Sequence, residues 1–153
     1  AYAPKVPVHV FTYSLASDDA DKCARLDKIM SKPDLRSIID LKMDFVVTNA
    51  SSDTSKCHYN DAPAFLQGRA GLMDCLLDRY HLCAQRPEHP KEGQNWFYFS
   101  ACLFRNQKEA SETADNMKKF HSTIEYCSSV SGYKASDLKA CAETERGAEL
   151  LQA

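Results

Sequence analysis

Hydrophobic and polar positions alternate in the first third of the chain and recur at helical spacing in the rest. Val8-His9-Val10-Phe11-Thr12-Tyr13 is rich in β-branched and aromatic residues and predicts a first strand. Ser14 to Asp19 predicts a turn, with Ser17 or Asp18 as the N-cap of a helix whose first-turn acids complement its dipole. Leu26, Ile29 and Met30 are spaced for one face of that helix. Pro33 opens a short helical turn carrying Leu35, Ile38 and Ile39. Leu41 to Thr48 alternates and then turns continuously apolar, which predicts a second, largely buried strand. Strand, helix and strand in this order imply a right-handed parallel crossover.

From residue 61 the period changes to that of helices. Leu66, Met73 and Tyr80 recur every seven residues, flanked by Leu72, Leu76 and Leu77, with Asp61 and Pro63 at the start. Arg86 to Gly93, with Pro87, Pro90 and Gly93, is a loop. Trp96, Phe97, Phe99, Cys102 and Leu103 resume an apolar face. Met117, Phe120, Ile124 and Cys127 line another, and Leu138, Cys141, Leu150 and Leu151 a last one. Ser128 to Ala135, with Gly132, connects the last two. The expected architecture is a single α/β domain over residues 1–153, with a βαβ part in 1–50 and a helical subdomain in 57–150.

At 153 residues, 44% of them hydrophobic and 26% charged, the chain suits one domain with a sizeable core. A net charge of −2 lacks the concentrated basic surface that phosphate recognition needs, so no nucleic-acid partner is expected. No apolar run reaches the length of a membrane span, and none is expected. The opening Ala1-Tyr2-Ala3-Pro4-Lys5 has neither Met nor leader, as a mature secreted chain would after processing. Asn49-Ala50-Ser51 is an N-glycosylation sequon at the expected end of the second strand.

Seven cysteines in so small a chain point to an oxidising compartment, and the odd count leaves at least one sulfur without an intrachain partner. Cys127 and Cys141 flank the last helix connection. A bridge there would close a loop of about 15 residues, contributing about 3 kcal/mol by chain entropy. Cys57, Cys75, Cys83 and Cys102 then have three possible pairings, of which Cys57–Cys83 and Cys75–Cys102 are the expected ones. His81 and Cys83, with Cys75 upstream, lack compact metal-ligand spacing, so a structural cysteine cluster and no metal are expected. His9, His58, His89 and His121 are scattered, and Lys118-Lys119 reads as a solvated helix face. Gly-x-Ser-x-Gly, P-loop and dinucleotide fingerprints are absent, and no cofactor is expected. Trp96-Phe97-Tyr98-Phe99 carries more aromatic surface than one helix face needs: core packing by default, a binding surface if left exposed.

Cys141-Ala142 followed by Arg146-Gly147, Leu150 and Ala153 resembles the C-terminal signature of the gamma-interferon-inducible lysosomal thiol reductase (GILT) family. Cys127, Cys102 and Cys75 resemble the family's preceding cysteines in order, Cys57-His58 stands at its C-Q-H-G motif, and Val47-Thr48-Asn49-Ala50 resembles the end of its second strand. The resemblance spans Val8 to Ala153, dense after residue 120 and thin before it. It implies a thioredoxin-like fold with a disulfide-bonded helical insertion, a secreted or lysosomal and often glycosylated protein, and reduction of protein disulfides through C-x-x-C.

That motif is missing. The chemistry needs an attacking thiol activated at the first helix N-terminus and a second thiol to resolve the mixed disulfide. An ungapped register places Ala16-Ser17-Asp18-Asp19 there, with both sulfurs gone. A four-residue insertion places Ala20-Asp21-Lys22-Cys23 there and keeps only the resolving Cys23. Asp18, Asp19, Asp21 and Asp27 would raise a nearby thiol pKa, the wrong direction for a nucleophile. C-Q-H-G is reduced to Cys57-His58-Tyr59-Asn60, with Leu66 near the place of its usual following cysteine. The family also continues past its signature into a strand pair, whereas Ala153 is the last residue here. Either the chain is truncated or the sheet is completed some other way; a fold lacking that pair would leave an unpaired sheet edge and is expected to self-associate through it. Two functions follow as expectations: a secreted binding protein with an unidentified protein partner on a degenerate scaffold, or a thiol–disulfide enzyme working through Cys23 alone.

Overall fold

The computed structural model describes residues 4–12, 17–45, 70–86, 95–106 and 117–152. Among them run strand β1 (Val6–Thr12), helices α1 (Ser17–Met30) and α2 (Pro33–Ile38), and strand β2 (Ile39–Phe45). Helices α3 (Ala70–Ala84), α4 (Asn95–Arg105), α5 (Met117–Ser131), α6 (Ala135–Ala142) and α7 (Glu145–Gln152) follow. The fold is mixed α/β, with seven helices and a two-stranded sheet among the described residues.

β1 and β2 pair in parallel with Val6 opposite Ile39 and Thr12 opposite Phe45. Val8, Val10 and Thr12 face the helices together with Ile39, Leu41, Met43 and Phe45. Pro7, His9 and Phe11 lie on the opposite face with Asp40, Lys42 and Asp44. On that face His9 Nε2 lies 2.7 Å from an Asp44 carboxylate oxygen, which also lies 3.4 Å from Lys42. β2 is thus half-buried rather than largely buried, because its second face carries charges that need water. Ile39, expected on the short helix, is instead the first residue of β2, and Pro33 starts α2 as the sequence indicates. Tyr13 and residues 46–48 of the expected strands, with Leu66 of the heptad run, lie outside the described residues.

The helices enclose α4. Its residues from Trp96 to Phe104 are buried except the half-buried Tyr98, so this helix is apolar nearly all round and forms the centre of the core. The aromatic run is therefore core. Tyr98 turns its hydroxyl to the Arg36 guanidinium of α2. α1 and α5 pack on α4, and α3 packs on α4, α6 and α7.

Gly132, at φ 80°, ends α5 in the left-handed conformation that glycine adopts at least cost. Tyr133 N–H then reaches the Ser128 carbonyl at 2.9 Å and Gly132 N–H the Ser129 carbonyl at 3.3 Å, closing a Schellman cap. The cap turns Tyr133 into the core, where its hydroxyl donates to the Ala84 carbonyl at the end of α3. The last apolar face, expected as one helix, is two. Thr144 separates them: its hydroxyl donates to the Ala140 and Cys141 carbonyls, and its carbonyl accepts from Gly147. The turn brings Gly147 against α6, where a Cβ would stand 2.5 Å from the Ala142 carbonyl oxygen.

Candidate functional site

The expected redox position is the start of α1. Ala16 lies outside the described residues. Ser17, Asp18, Asp19 and Ala20 form the first turn of α1, with their side chains outside description. Cys23 comes nearly two turns into the helix, and its side chain is only 5% exposed. Burial pushes this thiol up to about 12. Asp27 raises it further, and Arg105, which pairs with Asp27 at 3.2 Å, works the other way. Sequence reading placed the acids first. The structure ranks burial above them, since a thiolate loses most when it leaves water.

Cys23 lines a groove of about 290 Å³ between α1 and the sheet. Val10, Thr12 and Met43 line its sheet side, Phe104 contributes from α4, and Lys22, Arg25, Leu26 and Ile29 from α1. The lining is almost wholly apolar, with the two cations belonging to α1. Arg105 favours the Cys23 thiolate, and burial outweighs it.

The remaining described sulfurs are joined to one another. Cys83 of α3 bonds Cys141 of α6, and Cys102 of α4 bonds Cys127 of α5. This corrects the expected Cys127–Cys141 bridge, and with it Cys57–Cys83 and Cys75–Cys102, because Cys83 and Cys102 are already taken. Closeness in sequence misled: Cys127 shares the α4-facing side of α5 with Phe120 and Ile124, whereas Cys141 faces α3. Cys57 lies outside the described residues, as does the side chain of Cys75 on α3. Asn49 and the Cys57-His58-Tyr59-Asn60 segment also lie outside them.

His81, weighed as a metal ligand, is fully buried among Phe45, Phe99 and Phe104, with Nδ1 2.8 Å from the Ser100 hydroxyl. Burial drives its pKa down to about 3, so it is neutral in the fold. Its neighbour Cys83 holds a disulfide rather than a thiolate.

Sequence reading missed a polar cluster among α3, α5 and α6. The Glu143 carboxylate accepts from Tyr80 Oη at 2.9 Å and lies 2.7 Å from His121 Nε2, with Lys139 at 3.9 Å. Tyr80, His121, Ile124, Glu125, Ala135 and Lys139 line a pocket of about 230 Å³ there. Burial and then Glu143 raise the Tyr80 hydroxyl well above its ordinary value, so it remains a donor. Four segments supply this cluster, and no local spacing announces it.

No family of proteins, no curated protein and no solved structure matches this chain. No helix among the described residues is long and apolar enough to cross a membrane.

Proposed function

We propose that this chain is a secreted, disulfide-stapled binding protein built on a degenerate GILT-like, thioredoxin-like scaffold, without reductase turnover. The observation that carries the proposal is Cys23, whose thiol is buried and held protonated by the same burial. Disulfide reduction starts from a thiolate in contact with substrate, and this sulfur is neither ionised nor presented. Cys83, Cys102, Cys127 and Cys141 are held in bridges that join helices, which suits an oxidising compartment. A Glu143-centred acid–base reaction has less support, since all three partners tie helices together.

The test is insulin reduction by the wild-type chain and by Cys23→Ser, at acidic and at neutral pH. The expected rate equals that of reductant alone for both proteins. Turnover by wild type that disappears in Cys23→Ser would instead establish the single-thiol enzyme.

A further inference from the structure

The pocket beside Glu143 carries polar groups that the fold does not use. Glu143 itself is fully engaged. One of its oxygens takes both Tyr80 Oη, at 2.9 Å, and His121 Nε2, at 2.7 Å, and the other lies 3.9 Å from Lys139 Nζ. A carboxylate only accepts, so Nε2 carries the ring proton, and Nδ1 of the neutral imidazole is left as an acceptor. Glu125 stands one turn along α5 from His121, with its side chain exposed. Neither Nδ1 nor the Glu125 carboxylate has a partner among the described residues.

Charge then selects the ligand. Of the residues lining the pocket only Glu125 and Lys139 are charged, and Lys139 is already answered by Glu143. The Glu125 carboxylate is the one left over, and it calls for a cation. An anion would be favoured by the start of α6 at Ala135, but that first turn already contains Asp137. Ile124 and Ala135 give the pocket an apolar wall. Its volume of about 230 Å³ lies below the roughly 300–1,000 Å³ of sites for drug-sized ligands, so the occupant is small.

We infer that this pocket binds a small organic amine in its ammonium form, a compact apolar body with one cationic head. The head donates to the Glu125 carboxylate and to His121 Nδ1, and the body packs against Ile124 and Ala135. The pocket shares no lining residue with the groove over Cys23. The site therefore goes beyond the proposed protein-binding role and stands whether or not the chain reduces insulin.

Phenethylamine, phenethyl alcohol and phenylacetate share one apolar body and differ in the head group. Titrated into the full chain at neutral pH and followed by ligand-detected NMR, the amine is expected to bind about tenfold more tightly than the other two. The gap narrows in high salt. Glu125→Gln, a change at an exposed position, brings the amine down to the level of the alcohol. Lys139→Gln leaves the amine at least as tightly bound as in the wild type, whereas a site for anions would lose phenylacetate. Ala135→Leu fills the pocket and abolishes amine binding with the far-UV circular dichroism unchanged; if that variant unfolds, Glu125→Gln decides. Equal affinity for the amine and the alcohol, tighter binding of phenylacetate, or amine binding that Glu125→Gln leaves intact overturns the site. So does the absence of binding by all three.

Discussion

The helical body and the sheet side of this molecule differ in what happens to their exposed chemistry. In the body, four cysteines are joined in pairs, Tyr133 and Tyr80 find acceptors across helices, and α4 is buried nearly all round. At the sheet, Gln85 bonds both main-chain groups of Met43 on the outer side of β2, and no described strand pairs with the far side of β1. Phe11 stands 65% exposed on the outer face. The helical body is tied together by bridges and hydrogen bonds between helices, whereas the sheet leaves charged and aromatic side chains to water. The unpaired thiol sits at the border of the two and is silenced by burial.

The largest break in this contrast is removal of the Cys83–Cys141 bridge. It spans 58 residues, so the Cys83→Ala/Cys141→Ala pair loses about 4 kcal/mol on the chain-entropy argument. The Cys102–Cys127 bridge spans 25 residues, and the corresponding pair loses about 3.5 kcal/mol. Urea titration of both variants checks the size and the order.

Core truncation sharpens the same comparison. Phe99→Ala in the buried helix costs about 3 kcal/mol or more, whereas Phe11→Ala on the open face stays within about 0.5 kcal/mol. Equal losses in thermal denaturation would erase the distinction between the two regions.

Acid acts through His81. Its pKa is lowered in the fold, so its contribution is complete above its ordinary value of 6.5 and declines as pH falls toward about 3, because the unfolded chain takes up the proton first. Between pH 7 and pH 5 this costs about 2 kcal/mol. His81→Phe, which suits the ring's aromatic surroundings, flattens that part of the stability profile. Gln85→Ala is a smaller change than loss of either bridge, Phe99→Ala or acid acting on His81. Leaving Met43 N–H and C=O without the amide costs about 1 kcal/mol and opens the outer side of β2, measured by denaturation and sedimentation.

How much of this was legible in the sequence depends on whether a feature is local. Alternation marked β1, Pro33 marked the start of α2, and Gly132 marked the turn after α5. The crossover order followed from these, and the parallel pairing agrees with it. The bridges were not legible, because spacing along the chain does not say toward which helix Cys127 or Cys141 points. The split between α6 and α7 rests on the side chain and carbonyl of Thr144, which no apolar period registers. The Glu143 cluster and the Gln85 clamp join residues 22 to 63 and 42 positions apart, respectively. The candidate site was half legible. Sequence isolated Cys23 as the odd thiol and assigned its loss of reactivity to acids, whereas burial is the larger cause.

The most direct test of the central claim is the pH dependence of Cys23 alkylation by iodoacetamide in the native chain, followed by mass spectrometry of the peptide containing it. A thiol raised to about 12 predicts slow labelling with no inflection below pH 9, and a rise to the rate of a free thiol only on unfolding. Rapid labelling of the folded protein with an inflection at or below pH 7 would show an activated thiolate and contradict the assignment of this molecule to binding rather than reduction.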